Sequence, residues 1–168
     1  AWALPTSAHG RRTRPRRDWF LGYVLDPDVR AAFARLWRNE DGLLDDLEAM
    51  WRRVLEALGD HRALVGVELL NEPGWGDREP TRFDADVLCP FYERVSAWLH
   101  VRWPELILFY GVSGIHALGP WRHDTMPRVP QLCFAPHLYD PALLFAPGGG
   151  RSVDPNRALF ELARLRDE

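Results

Sequence analysis

Two short stretches of this chain put proton-handling groups where an apolar run stops. Glu72 lies in "VGVELLNEPGWG" (65–76), wedged between Asn71 and Pro73. His137 and Tyr139 lie in "QLCFAPHLYD" (131–140), again behind an apolar run. A carboxyl can give and take a proton, and a His with a Tyr can orient a sugar or hydrogen-bond a carboxylate. Trp75, in the glycine loop three residues past Glu72, offers an aromatic face on which a pyranose ring can stack. Plain packing is the alternative for each aromatic, since the chain holds eight Trp and most must be core.

The elements that must position these groups read as alternating helices and strands. Asp26 and Pro27 open a helix over about 27–38, with Val29, Phe33 and Leu36 on one face. Leu44, Leu47, Trp51, Leu55 and Leu58 mark a second helix, stopped at Gly59. "ALVGVELL" (63–70), "ELILFYGV" (105–112) and "QLCFAPHLYD" (131–140) read as strands. Their near-continuous apolar character predicts burial on both faces, as in a parallel sheet. A helix over 84–102 separates the first two strands, and another over 156–166 follows the third. The order predicts an α/β fold with a parallel sheet.

In such folds the functional groups collect at the C-terminal ends of the strands. Glu72, His137 and Tyr139 all fall there. Strand parity puts Glu68, Leu70 and Glu72 on one face and His137 and Tyr139 on another. If that face points inward, Glu68 becomes an interior acid that needs an Arg, His or hydroxyl partner. A purely structural role is the alternative for Glu68.

Composition narrows the classes. With 46% hydrophobic and 27% charged residues, the chain is globular rather than disordered. A net charge of −3 and a pI near 6.1 give no general pull toward nucleic acid or anionic membrane. All 21 basic residues are Arg, which reads as a coding bias rather than a site. The basic run "RRTRPRR" (11–17) reads as a solvated loop or a contact for anionic groups near a site. No apolar stretch is long enough to cross a membrane, and the N-terminus lacks the pattern of a signal peptide. Cys89 and Cys133 are expected to be buried free thiols, and two isolated Cys cannot form a metal site alone. No metal or cofactor is expected.

"LLNEPGWG" and "APHLYDP", in this order and each behind a strand, resemble two motifs of glycoside hydrolase family 5. Members of that family are retaining β-glycosidases on a (β/α)8 barrel. With "AWALPT" at the start, the likeness is closest to the endoglycoceramidase-like branch, which cleaves the bond between an oligosaccharide and ceramide. The resemblance implies that Glu72 is the general acid/base and that Asn71 hydrogen-bonds the sugar 2-hydroxyl. It implies that His137 and Tyr139 line the cleft near the reacting carbon. The expected partner is a carbohydrate or glycolipid, with no nucleic acid and no stable membrane insertion. A complete relative is expected to be secreted or extracellular.

By the same map, residues 1–168 form one incomplete catalytic domain, about strands four to six of the barrel with flanking helices. The family's nucleophile Glu on the seventh strand has no counterpart here. Asp140 belongs to the His-x-Tyr segment, and Glu161 lies in a helix. A closed barrel takes about 250 residues, so a chain of 168 is expected to be an interior piece with little hydrolysis of its own. The alternatives are a family 5 glucanase, a non-catalytic carbohydrate- or lipid-binding module, and an unstable open sheet. The loop "PALLFAPGGG" (141–150) would contact ceramide in the first reading only.

Overall fold

A computed structural model describes residues 25–113 and 126–137. Two helices, α1 (Pro27–Trp37) and α2 (Leu43–Leu58), precede strand β1 (Gly66–Glu68). Helix α3 (Cys89–Arg102) then crosses to β2 (Ile107–Tyr110), and β3 (Leu132–Phe134) follows. The three strands form one parallel sheet in the order β1-β2-β3, with Val67–Leu108–Leu132 in one row and Glu68–Phe109–Cys133 in the next.

Each helix starts for a local reason. Asp26 caps α1 by accepting from the Asp28 N–H at 2.9 Å, and Pro27 fills the first turn, where no donor is missed. Helix α2 is capped from further away. Asn39, at φ 53°, accepts the Leu44 and Asp45 N–H groups through its Oδ1 at 2.9 and 3.3 Å. Helix α3 is preceded by a π-helical turn, Asp84–Leu88. Pro90 has no N–H to give to a carbonyl one turn back, so the backbone adjusts there.

The strands are shorter than the apolar runs that announced them. Bonds from Ile107 N to Val65 O and from Ala135 N to Tyr110 O extend the ladder, and beyond them the chain leaves for the loops. The expectation of burial on both faces also fails. Val67, Leu69, Leu106, Leu108 and Tyr110 are buried in one cluster with Leu55 of α2 and with Tyr92, Val95 and Leu99 of α3. The alternate positions Gly66, Glu68, Ile107 and Phe109 are only half-buried. Cys133 shares their side of the sheet, and it is exposed where a buried thiol was expected; Cys89 is buried as expected. Among the described residues, the helices cover one face and leave the other half-buried.

Aromatic packing ties the covered face together. Trp37 meets Phe83 edge-on at 5.2 Å, and Tyr92 meets Tyr110 at 5.0 Å. The Tyr92 hydroxyl donates to Phe109 O at 3.2 Å, which fixes α3 to β2. His100 fastens the other end of α3, bonding Ser96 Oγ through Nδ1 at 2.7 Å and Leu106 O through Nε2 at 3.0 Å. The basic run 11–17, Tyr139, the loop 141–150 and the helix expected over 156–166 lie outside the described residues.

Candidate active site

The site begins at the tip of β1. After Leu70 and Asn71 the backbone turns at Glu72 with φ 45°, a left-handed conformation. For a residue with a Cβ that costs about 1–2 kcal/mol. Pro73 follows, fully buried, and disfavours the right-handed helical alternative at the residue before it. The Trp51 indole braces this tip from α2 by donating to Leu69 O at 3.1 Å.

The turn sets the Glu72 carboxyl against His137, which the chain reaches by running on past β3. Glu72 Oε1 lies 2.7 Å from His137 Nδ1, a length typical of a strong hydrogen bond. The two side chains are 14% and 24% exposed, so the pair is shielded but reachable. The other imidazole nitrogen, Nε2, lies 3.6 Å from Glu68 Oε1. That distance is a polar contact too long for a hydrogen bond. Parity asked for a partner to Glu68, and His137 is that partner. One imidazole therefore stands between two carboxyl groups, and a proton can be held, given or taken at Glu72. Among the described residues, no group of three or more His, Cys, Asp or Glu is placed to hold a metal ion.

The other expected residues fall differently. Asn71 is exposed at the same sheet edge as Glu72. Trp75 is 8% exposed and belongs to the core cluster, so its ring packs and does not stand open as a stacking platform. Its loop is not open either. Helix α1 lies on it, with the Trp37 indole donating to Gly74 O at 2.8 Å and Arg30 Nε to Gly76 O at 3.2 Å. A Cβ at Gly74 would collide with the Phe33 ring, and Gly76, at φ 63°, lets the backbone come against Ala34. The two glycines make a seat for α1. Tyr139 lies outside the described residues.

Sequence reading missed two positions. Asp84 reads as the first residue of a helix, yet it is buried and accepts the Ser113 N–H at 3.2 Å, pinning the chain after β2. Gly111 reads as part of the second strand run, yet it lies just past β2 against the Glu68 carboxylate. No local signal could have found it, because the acid comes from the neighbouring strand. A groove of about 570 Å³ opens on the helix side, lined by Trp37, Asp77, Arg82 and Arg94 among others. Neither Glu72 nor His137 lines it, so it is separate from the site.

An endoglycoceramidase of Cyanea nozakii is 36% identical to the chain over 99 residues, covering 54% of this chain and 20% of that protein. Endoglycoceramidase I of Rhodococcus hoagii (strain 103S) is 33% identical over 87 residues, covering 49% of this chain and 17% of that protein. The chain resembles endoglycoceramidases over part of its length. It spans about a fifth of the length of these curated relatives. No protein-family model matches it.

Solved structures supply the fold. Endo-glycoceramidase II from Rhodococcus sp., in complex with ganglioside GM3, superposes with a TM-score of 0.73 at 24% identity, covering 96% of this chain and 37% of that one. An endogalactoceramidase superposes with a TM-score of 0.61 at 22% identity, covering 84% of this chain and 34% of that one. The chain is thus part of a (β/α)8 barrel, as the family resemblance implies. In a barrel the uncovered face of its sheet is the interior, and the tips of β1 and β3 belong to the face where such folds carry their sites.

Proposed function

We propose that this chain is the acid/base portion of a retaining β-glycosidase that cleaves O-glycosyl bonds of glycosphingolipids. The observation that carries the reading is the 2.7 Å contact between Glu72 and His137. It joins two residues 65 apart in sequence, beyond the tips of β1 and β3 with β2 between them. Both motifs that resembled the family meet in that one contact. The endoglycoceramidase relatives support the substrate class, as does the ganglioside complex of a structural neighbour.

A retaining glycosidase uses two carboxyl groups. One donates a proton to the leaving oxygen and later takes one from water; the other attacks the anomeric carbon. Glu72 is assigned the first role. Its proton goes to the glycosidic oxygen as the bond to the aglycone breaks, and the resulting carboxylate then accepts a proton from the attacking water. Asn71 is assigned the sugar 2-hydroxyl, and His137 orients Glu72. Tyr139 is assigned to the cleft wall beside them. The nucleophile is assigned to a residue outside this chain. Glu68 does not fill that role, because its carboxylate faces the far nitrogen of His137.

Two measurements test this. The chain alone should show little turnover of a fluorescent glycosphingolipid, whereas robust turnover dependent on Glu72 would overturn the assignment of the nucleophile elsewhere. A five-membered iminocyclitol titrated into the labelled chain should shift the resonances of Glu72 and His137, and Glu72→Gln should weaken binding at least about tenfold, a loss of ~1.4 kcal/mol. Shifts confined to other residues, or none, would remove Glu72 from the site.

A further inference from the structure

Glu72 keeps a backbone angle, φ 45°, that a residue with a Cβ leaves when it can. Such a conformation persists only where the chain on either side is fixed by its surroundings. Here two indoles do the fixing. On the near side, Trp51 of α2 donates to Leu69 O at 3.1 Å. On the far side, Trp37 of α1 donates to Gly74 O at 2.8 Å, and that bond is buried. Only Leu70, Asn71, Glu72 and Pro73 lie between the two carbonyl groups.

The far anchor decides the direction of the chain. Pro73 disfavours the right-handed helical region for Glu72, so a released Glu72 would become extended. A residue that turns from left-handed to extended swings everything after it. Gly74 would then leave Trp37, and the Glu72 carboxyl would leave its place 2.7 Å from His137 Nδ1. Both events follow from one backbone angle, so holding Gly74 holds the carboxyl. The anchor is firm because its parts are buried. Residues 73–76 are buried throughout, and Gly74 lies too close to the Phe33 ring for a Cβ. Trp37 is itself packed edge-on against Phe83 and Phe91, at 5.2 and 5.9 Å. A buried carbonyl that lost its donor would bear the cost of desolvation, which keeps the indole in place. The bond from Arg30 Nε to Gly76 O adds to the grip.

We propose that Trp37 and Trp51 are positioning residues for Glu72. Their indole N–H groups clamp the chain at Gly74 and Leu69, and the clamp holds the left-handed turn that presents the carboxyl to His137. The purpose of that placement rests on the reading of Glu72 as the general acid/base. The clamp itself is backbone geometry, and it is the same whichever of Glu72 and His137 carries the proton. Neither indole acts by touching a sugar.

The test is nuclear Overhauser spectroscopy of the isotope-labelled full chain, without any sugar present. A left-handed residue brings its own amide and α protons closer together than a helical or extended one does. Glu72 should therefore give an unusually strong intraresidue cross-peak, together with cross-peaks from its side chain to the His137 ring. Trp37→Phe keeps an aromatic ring in the core and removes the N–H, and Trp51→Phe does the same at Leu69. Each should take away most of the excess intensity and the cross-peaks to His137. Leu99→Ala lowers stability from the buried side of α3 and touches neither bond, so it should leave both signals as in wild type. A merely structural Trp37 would behave like Leu99, with stability lost and the Glu72 signals kept. A wild-type chain without the strong cross-peak overturns the proposal. So does a Trp37→Phe spectrum that keeps it, or a Leu99→Ala spectrum that loses it. If Trp37→Phe does not fold, Trp51→Phe is judged by the same criteria. The iminocyclitol titration is read separately, so failure of the glycosidase assignment and failure of this one are told apart.

Discussion

The two faces of the three-stranded sheet are built from alternate residues of the same strands, and they do opposite work. On one side Val67, Leu69, Leu108 and Tyr110 are buried under helices and joined by edge-on aromatic contacts. On the other, Glu68 and Phe109 are half-buried, Cys133 is exposed, and the strand tips carry Glu72 and His137. A period of two is enough to separate them, because successive side chains of a strand point to opposite faces. The covered face holds the sheet together and makes it rigid. The uncovered face spends less apolar area and keeps polar groups at its edge, where a partner or substrate can reach them.

The sharpest way to break this comparison is a pair of neighbours on β2. Leu108 is fully buried on the helix side, and Ile107 beside it points to the other face and is half-buried. Leu108→Ala should cost about 2–5 kcal/mol, the range for a buried aliphatic whose cavity only partly collapses. Ile107→Ala should cost less than half as much in the same urea titration. Equal losses would mean that both faces are packed cores.

The two thiols extend the same contrast to reactivity. Burial, foremost, pushes the Cys89 thiol up to about 11. The hydrogen bond to Tyr110 works against that rise, and the charges of Asp84 and Glu93 add to it. At pH 8 only about one Cys89 in a thousand is then the thiolate that reacts. Cys133 is exposed on the other face. Alkylation at pH 8, followed by mass spectrometry, should modify Cys133 at least about a hundredfold faster than Cys89. The same rise makes the folded state hold the Cys89 proton more tightly than the unfolded one. The stability it contributes is complete below pH 9, the ordinary value, and is lost as the pH climbs toward about 11. Comparable alkylation rates would show that the helices open readily over the covered face.

Much of this was legible beforehand, and the exceptions have physical causes. Helix α1, its Asp26 cap and the helix–strand order follow from apolar spacing and cap chemistry, which are local. The meeting of Glu72 with His137 was legible because parallel strands end on the same edge. What the pattern hid depends on neighbours distant in sequence. Trp75 reads equally well as a sugar platform or as core, and only the arrival of α1 on Gly74 and Gly76 decides for core. Cys133 sits in an apolar run, yet a run cannot say which of its alternating positions a helix will cover. The role of Gly111 depends on an acid one strand away.

The smallest effect in view concerns acids rather than apolar groups, and it sharpens the contrast most finely. Asp84 and Glu68 are both carboxyl groups drawn away from water, but they stand on opposite sides of the sheet. Asp84 is 1% exposed on the covered side and accepts the N–H of Ser113, which is itself fully buried. Its charge also helps to hold the Tyr110 hydroxyl well above the ordinary tyrosine range, behind the larger effect of burial. Asp84→Ala takes a buried acceptor from a buried donor, so it should cost about 1–3 kcal/mol in urea titration. Asp84→Asn keeps an oxygen in place and should fall between Ala and wild type. Glu68→Gln removes a charge that no hydrogen bond engages at Oε1, and it should cost less than Asp84→Ala. If Glu68→Gln proved the more destabilising of the two, its carboxylate would belong with the framework. The division between a face that holds the fold and a face that handles protons would then fail at its central residue.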